Sequence, residues 1–240
     1  MRIAILSDVH GNKEALLQVL EDCKQFSINQ FIFLGDLVIK GPSPKEVFDV
    51  LKVLDLICWV RGNTDDWFNE IGEDWTPSSS KEEELYSYFK YAKSRLSNED
   101  IKIIKSKPQK STIQIGDIRV LCVHGSPRKN NERMDLSVSE ENLHEILDGV
   151  TEELILCGHS HIPCKLHIDK KIILNVGSIG NPWDGSNEAS YGIVELQNDE
   201  IRLIQRRISY AYNVTIAAAH ENEFPNIDKY EYWIKSGSQE

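Results

Sequence analysis

The segment R-I-A-I-L-S-D-V-H-G-N, residues 2–12, decides how this chain folds. Its first half, R-I-A-I-L, is a continuous apolar run of the kind that forms a strand buried on both faces. Asp8 and His10 follow at once, with one residue between them. Because positions i and i+2 of an extended backbone point to the same side, we expect both side chains to reach one ion. One D-x-H pair is weak evidence, so the remaining ligands have to come from elsewhere in the chain.

The next two apolar runs also lead to residues that can bind a metal. F-I-F-L, residues 31–34, leads to Asp36, and I-C-W-V, residues 57–60, leads to Asn63. Open α/β sheets place their ligands just beyond strand ends, which favours both positions. Each position has a simpler alternative. A Gly-Asp pair after a strand can be only a turn, and Asn favours left-handed backbone after a glycine.

Helices are predicted between these strands. Apolar residues repeat at helical spacing over residues 15–23. A second helix is predicted to open at Ser43, with Pro44 in its first turn and Glu46 completing a capping box. Strands that alternate with helices at this spacing predict a mainly parallel sheet covered on both faces.

The rest of the chain combines helices with strands. Residues 66–110 lack candidate ligands and are predicted to be a helical insertion, and a short helix is predicted around residues 139–148. Six further strands are predicted at S-T-I-Q-I, R-V-L-C-V, L-I-L-C, K-I-I-L-N-V, Y-G-I-V-E-L and I-R-L-I, the last two joined as an antiparallel hairpin by Asn198-Asp199. A C-terminal extension, about residues 209–240, is expected to pack back as a helix plus an irregular end. Since no linker-like tract divides the sequence, residues 1–240 are predicted to form a single α/β domain.

Four of the seven histidines follow apolar runs as Asp8 does. His124 follows V-L-C-V, and His159 and His161 follow L-I-L-C in the motif G-H-S-H. A histidine in an H-G-S-P turn could equally be a surface residue, whereas G-H-x-H is the strongest single fragment. The joint occurrence indicates two metal ions at one edge of a sheet, held by Asp8, His10, Asp36, Asn63, His124, His159 and His161.

Composition excludes several classes of partner. Acidic residues outnumber basic ones by 38 to 27, giving a net charge of −11, which argues against general nucleic-acid binding and against binding to an anionic membrane. No apolar run approaches the roughly 18 residues of a membrane span. The five cysteines form no C-x-x-C pair, and Cys58, Cys122 and Cys157 lie in apolar runs as expected of reduced core residues. With no secretory signal visible, a cytoplasmic location is expected.

The ordered set D-x-H, G-D, G-N-x-D, H-G-S-P and G-H-x-H resembles the calcineurin-like metallophosphoesterase superfamily. Within it, the chain is similar to the small bacterial and archaeal phosphodiesterases related to diadenosine tetraphosphatases. It shares with them S-D-x-H-G-N, the Gly41-Pro42 loop and N-V-G-S-I-G-N-P, residues 175–182, and the match extends to about residue 208. The resemblance implies a four-layer α-β-β-α sandwich of two mixed sheets, an α/β (α+β) fold with a two-metal site at the strand ends.

The resemblance also implies the chemistry. One metal would be held by Asp8, His10 and His161, the other by Asn63, His124 and His159, with Asp36 bridging both. Two such ions clamp a phosphoryl oxygen and generate a bound hydroxide that attacks phosphorus in line. Nitrogen and oxygen ligands without thiolate favour Mn²⁺, with Fe or Zn²⁺ as alternatives.

The implied activity is hydrolysis of phosphodiester or phosphoanhydride bonds in a small phosphorylated substrate, with nucleotides and dinucleoside polyphosphates as candidates. Two alternatives stay open. S-D-V-H-G-N also resembles the serine/threonine phosphoprotein phosphatases, and the same fold serves as a catalytically silent protein-binding scaffold in a trafficking complex. A scaffold would have lost ligands, and all seven are present in this sequence.

One motif departs from the family. Many members have G-N-H-D or G-N-H-E, whose histidine protonates the leaving group, whereas this chain has threonine at position 64. A hydroxyl is far too weak an acid for that task, so Asp65 or a metal-bound water would have to supply the proton. Asn12 and Lys40 are candidates for contacting phosphate, although Asn12 could instead be the N-cap of the first helix.

Overall fold

A computed structural model describes residues 1–198 and 200–238 of the chain. The elements follow one another as β1 (Arg2–Leu6), α1 (Lys13–Gln25), β2 (Gln30–Phe33), α2 (Pro44–Leu51), β3 (Leu56–Trp59), α3 (Asn63–Glu70), α4 (Ser80–Arg95), α5 (Asn98–Lys105), β4 (Lys110–Ile115), β5 (Ile118–Val123), α6 (Glu140–Ile146), β6 (Leu154–Cys157), β7 (Cys164–Ile168), β8 (Lys171–Asn175), β9 (Ala189–Gln197), β10 (Glu200–Ile208), α7 (Tyr212–Glu221) and α8 (Ile227–Ser236). Helices α4 and α5 lie in the segment where the sequence predicts a helical insertion.

The strands form two five-stranded mixed sheets, with the orders β10-β9-β1-β2-β3 and β4-β5-β6-β8-β7. In the first sheet β1, β2 and β3 are parallel, while β9 and β10 are antiparallel to their neighbours. In the second sheet β5, β6 and β8 are parallel, and β4 and β7 are antiparallel at the edges. The α/β fold with two mixed sheets is therefore confirmed. The expectation of one mainly parallel sheet is wrong, because strand-helix alternation does not reveal that two parallel trios belong to separate sheets.

Three hydrophobic clusters separate four layers. The two sheets face each other through apolar side chains such as Ile5, Leu34, Cys122 and Leu156. Helices α1, α2, α4, α7 and α8 pack on the outer face of the first sheet, and α6 packs on the outer face of the second. Burying large apolar side chains in this way is the main favourable term in folding, so each sheet is stabilised on both faces. The three cysteines predicted for the core are buried, namely Cys58, Cys122 and Cys157.

Local signals account for some helix ends and miss others. Asn12 caps α1, since its side chain accepts a hydrogen bond from the Ala15 N–H. Ser43 is the N-cap residue of α2, but no side-chain capping bond is found for it in the described structure. The predicted capping box with Glu46 is therefore wrong, and Pro44 at the first turn, with its preset φ, is the remaining start signal.

The C-terminal extension differs from its prediction, since it contains two helices, α7 and α8, rather than a helix and an irregular end. Both pack into the helical cluster on the first sheet. Strands β9 and β10 pair antiparallel along nine residues, as the hairpin prediction requires. The predicted turn residue Asp199 lies outside the described residues. A helix long and apolar enough to cross a membrane is not found in the described part of the chain.

Candidate metal centre

The loops that follow five parallel strands meet at one edge of the sandwich. The first sheet supplies Asp8 after β1, Asp36 after β2 and Asn63 after β3. The second sheet supplies His124 after β5, and His159 and His161 after β6. Because the two sheets face each other, their carboxyl edges bring these loops together. His10 follows Asp8 in the loop after β1, so all seven predicted ligands lie at this edge.

The backbone of five predicted ligands is left-handed, with φ between 48° and 65°, namely at Asp8, His10, Asp36, His159 and His161. The extended backbone expected for the D-x-H pair is therefore wrong. Asp and His are among the residues that tolerate this conformation. Backbone hydrogen bonds at 3.0 Å, from Asp8 N–H to Gly35 O and from His10 N–H to Asp36 O, join the first loop to the second.

Asp8, His10 and His161 form the first cluster of ligand atoms. The two imidazole Nε2 atoms lie 3.1 Å apart. Asp8 Oδ1 lies 3.1 Å from Nε2 of His161 and 3.6 Å from Nε2 of His10. Each Nδ1 faces a backbone carbonyl, that of Ile39 at 2.8 Å for His10 and that of Asn181 for His161.

This arrangement leaves lone pairs facing one another. Since Nδ1 of each ring donates its proton to a carbonyl, both Nε2 atoms carry lone pairs. Asp8 Oδ2 accepts from Ser7 Oγ and from the His159 N–H, whereas Oδ1 is buried without a hydrogen-bond partner in the described structure. Buried acceptors that converge at this spacing are costly unless a cation lies between them. The residues therefore fit a metal ion, and two groups satisfy the geometry of a metal site: Asp8 with His10 and His161, and Asp8 with Asp36 and His124.

His124, Asn63 and His159 form a second cluster beside the first. Asn63 Oδ1 lies 3.1 Å from Nε2 of His124 and 2.8 Å from Nδ1 of His159. His124 Nδ1 faces the carbonyl of Leu34 at 2.8 Å, so Nε2 is the nitrogen that points to Asn63 and Asp36. Asn63 is the first residue of α3 and does not take the left-handed backbone that was its simpler alternative.

Asp36 lies between the two clusters. Its Oδ2 atom is 3.4 Å from His124 Nε2 and 3.7 Å from His10 Nε2, so one oxygen faces a ligand of each cluster. Its Oδ1 atom accepts a hydrogen bond from the Thr64 N–H at 2.9 Å, which fixes the plane of the carboxylate. The position is that of a carboxylate able to serve both sides of the site.

The electrostatics favour a cation. Burial would raise the pKa of Asp8 and Asp36, but the facing histidines, His124 first among them, hold both values well below the usual range. At His124 the attraction of these carboxylates outweighs burial and raises the pKa to about 10. Burial and the neighbouring His124 charge lower the pKa of His159 to about 4. Two ionised carboxylates therefore stand among imidazoles, a donor set of the kind that binds transition metals.

Asp65 accepts hydrogen bonds from the backbone around Asp36. Its Oδ2 atom accepts from the N–H groups of Asp36 and Gly62, both at 2.9 Å, and Oδ1 accepts from the Leu37 N–H at 3.2 Å. The residue is fully buried. Burial, followed by the charge of Asp36, raises its pKa to about 6. Both of its oxygens thus point to backbone N–H groups, one of which is that of Asp36.

Lys40 and Trp183 border the first cluster. The indole of Trp183 stacks on the His161 imidazole with ring centroids 3.8 Å apart, and Lys40 Nζ lies 5.9 Å from the centroid of the Trp183 ring. Burial lowers the pKa of Lys40, while the charges of Asp36 and Asp8 act in the opposite direction. An ammonium group is therefore placed near the carboxylates without being one of the ligands.

The other predicted side chains have structural contacts. The amide of Asn12 caps α1, donates to Gly180 O and Tyr210 Oη, and accepts from Thr215 Oγ1. Thr64 is fully buried, and its hydroxyl has no hydrogen-bond partner in the described structure. The substrate contact predicted for Asn12 stays a prediction, while its role as N-cap is the one visible in the geometry.

Sequence reasoning missed Asn175. Its Nδ2 atom donates to Met134 O, Gly158 O and Ser160 Oγ, and its Oδ1 accepts from the Gly177 N–H. These bonds hold the loop that carries His159 and His161. The residue stands at the start of N-V-G-S-I-G-N-P, and a buried strand ending in Asn was the available signal.

Two facing mixed sheets with Asp and His ligands along one edge define a metallophosphoesterase fold. The chain belongs to the calcineurin-like phosphoesterase superfamily, whose domain matches residues 1–199. The resemblance seen in the sequence is thereby confirmed, and with it the broad class of activity, metal-dependent hydrolysis of phosphate esters.

Particular relatives are similar over nearly the whole chain. An uncharacterized protein of Methanocaldococcus jannaschii is 29% identical, with 93% of each chain covered. The crystal structure of a metallophosphoesterase from Sphaerobacter thermophilus matches with a TM-score of 0.81 and 27% identity, covering 99% of both chains. A hypothetical protein from Pyrococcus horikoshii matches with a TM-score of 0.83 at 19% identity, covering 100% of this chain and 99% of the other, which shows the common fold.

Proposed function

We propose that this protein hydrolyses phosphodiester or phosphoanhydride bonds at a site that binds two metal ions, Mn²⁺ in the first instance. The observation that carries the proposal is the convergence of lone pairs at the sandwich edge. Asp8 Oδ1 and the Nε2 atoms of His10 and His161 have no proton to share among them. Asn63, His124 and His159 form a second cluster beside it, and Asp36 faces both.

Bound ions at such a site supply positive charge to a phosphoryl group and lower the pKa of water to near neutrality. The chain's own residues fix where this happens. Asp36 is held by the Thr64 N–H and, through its backbone, by Asp65, so its free oxygen keeps one orientation. Lys40 is near enough to these carboxylates to attract a phosphate oxygen that is not otherwise neutralised.

Thr64 occupies the position where many family members have the histidine that protonates the leaving group, and this limits which substrates can be cleaved. Thr64 is buried and contributes its N–H to Asp36, and Asp65 has both oxygens engaged by backbone. Neither is free to protonate a leaving group. We therefore propose that good substrates carry leaving groups that need little protonation, such as nucleoside phosphates or aryl oxides. Dinucleoside polyphosphates belong to this class.

Metal analysis combined with hydrolysis assays tests the proposal. The purified protein would be loaded with Mn²⁺ and given bis(p-nitrophenyl) phosphate, p-nitrophenyl phosphate and diadenosine tetraphosphate. We expect about two Mn²⁺ per chain and cleavage of the diester or the anhydride. Asp36→Asn and His161→Ala should lose metal and activity together, while the surface variant Asp49→Asn should keep both.

Three results would contradict the proposal. Absence of both metal and hydrolysis would favour a scaffold. Cleavage of phosphoserine peptides in preference to all three compounds would favour a phosphoprotein phosphatase. Full activity in Asp36→Asn would show that the catalytic site lies elsewhere.

A further inference from the structure

A small aromatic pocket lies between α3 and α4. Its apolar walls come from five half-buried side chains, Trp67, Ile71, Trp75, Leu85 and Tyr86. The cavity measures about 180 Å³. Trp75 and Tyr86 contact each other with ring centroids 4.9 Å apart, and Tyr86 stacks on Phe89 behind it at 6.1 Å. We call this cavity the α3–α4 pocket.

Helix α3 connects the pocket to the metal centre. Asn63, whose amide oxygen contacts His124 and His159, is the first residue of this helix, and Trp67 stands four residues later. Residues four apart lie on the same face of a helix. The rise between them is about 6 Å, so Trp67 is one turn further along the same face.

Helix α4 contacts the loop that follows Asp36 as well. Its Tyr91 hydroxyl donates to the carbonyl of Pro42 at 2.8 Å, two residues beyond Lys40. Leu85 and Tyr86, on the adjoining face of α4, line the pocket. Helix α3 therefore begins at a candidate ligand and lines the pocket, and α4 lines the pocket and contacts the loop that follows Asp36.

The rim of the pocket carries hydrogen-bond acceptors. Glu70 and Glu82 are the two charged residues that line it. Glu82 is held in place because its Oε2 atom accepts from both the N–H and the hydroxyl of Ser78, at 2.7 Å each. Carboxylates accept hydrogen bonds and repel phosphate, so this pocket suits an uncharged flat ring that bears an amino group.

We infer that the α3–α4 pocket binds the nucleobase of a nucleotide substrate whose phosphate occupies the metal centre. The inference rests on the proposed function and narrows it to substrates with an amino-bearing base. The aromatic walls stack on the base, and the rim carboxylates accept hydrogen bonds from its amino group. The rise of one helical turn from Asn63 to Trp67 is comparable to the length of the sugar that joins base and phosphate. Phosphate and base are thus bound by different residues.

The test compares ligands with and without the base on the Mn²⁺-loaded protein. Titration calorimetry would measure the Kd of adenosine 5′-monophosphate and of ribose 5-phosphate. Stacking of one base on an aromatic side chain raises affinity about tenfold or more. The nucleotide should therefore bind at least tenfold more tightly than ribose 5-phosphate. Tyr86→Ala and Trp75→Ala should remove most of that ratio without changing the Kd of ribose 5-phosphate or the metal content. Tyr86→Phe, which keeps the ring, and Tyr212→Ala, an exposed tyrosine on α7, should retain the ratio.

Two failures are distinguishable. Equal affinities for the two ligands in a protein that binds Mn²⁺ and cleaves phosphate esters would overturn the base subsite and leave the proposed function intact. The base subsite is overturned in the same way if Tyr86→Ala and Trp75→Ala keep the full ratio. A protein that neither binds Mn²⁺ nor cleaves any ester overturns the proposed function and the subsite together.

Discussion

Replacing Asp65 should separate its role in holding Asp36 from a role as an acid. The carboxylate accepts three backbone N–H groups, those of Asp36, Leu37 and Gly62, and is fully buried. In Asp65→Ala all three donors lose their partner inside the protein. Each buried donor left unsatisfied costs about 1–3 kcal/mol, and partial relaxation brings the sum to about 3–6 kcal/mol of unfolding free energy.

Asp65→Asn should be milder. Its carbonyl oxygen can still accept from the Asp36 and Gly62 N–H groups, which share one oxygen in the native site. The amide nitrogen then faces the Leu37 N–H, so one bond is lost, at about 1–3 kcal/mol. Urea unfolding of the Mn²⁺-loaded proteins at pH 8, above the raised pKa of about 6, measures both changes. The exposed Asp49→Asn is the control.

A leaving-group series distinguishes the two roles in catalysis. If Asp65 positions Asp36, the asparagine variant should slow aryl diesters of high and low leaving-group pKa by a similar factor. A slowing confined to poor leaving groups would identify Asp65 as the acid and refute the positioning role. So would an alanine variant that loses less than about 1 kcal/mol, since three orphaned N–H groups together cost more than that.

Three further perturbations test the site. Gly62→Ala should abolish metal binding in a metal analysis, since the added Cβ would lie 2.1 Å from Asp36 Oδ1. The control Gly72→Ala, whose Cβ would have nothing within 4 Å, should bind the metal normally. Normal metal content in both variants would contradict the geometry. Lys40→Met should raise KM about tenfold by removing a phosphate contact, with metal content unchanged, while the surface variant Lys52→Met should match the native KM. In the chelated protein, Tm should fall between pH 6.5 and about 10, because the pKa of His124 is raised from 6.5 in the unfolded chain to about 10 in the folded protein. The bound proton stabilises the fold fully below pH 6.5, and this contribution is lost as the pH rises through the folded-state pKa. A Tm that rises over this range would show that the carboxylates do not hold a proton on His124.

Much of the fold was predictable because its signals are local. The buried strands before Asp8, Asp36 and His124 are short apolar runs, and the helices between them have clear spacing. The family resemblance also supplied the two mixed sheets, which the pattern alone did not. Periodicity reports which residues are buried, yet a parallel trio looks the same in one sheet as in two.

The contacts behind the ligands were not predictable in the same way. Asn175 bonds to Met134, Gly158 and Ser160, which are 15 or more positions away in the sequence. Asp65 looked like a free acid three residues beyond Gly62, because its hydrogen bonds from Asp36 and Leu37 exist only after β2 and β3 have paired. Long-range partners of this kind leave no periodic trace in the chain.

The left-handed backbone of the ligands links the fold to the chemistry. Five non-glycine ligands have positive φ, at about 1–2 kcal/mol each relative to ordinary backbone. Such conformations persist only where the surroundings fix them, and at Asp8 and His10 the backbone bonds to Gly35 O and Asp36 O do so. These bonds join the loops after β1 and β2 of the first sheet, so the cost at Asp8 and His10 is met when these two strands pair. An ion entering this edge finds its donors already 3.1 Å apart at His10 and His161, so little of its binding free energy is spent on ordering the loops.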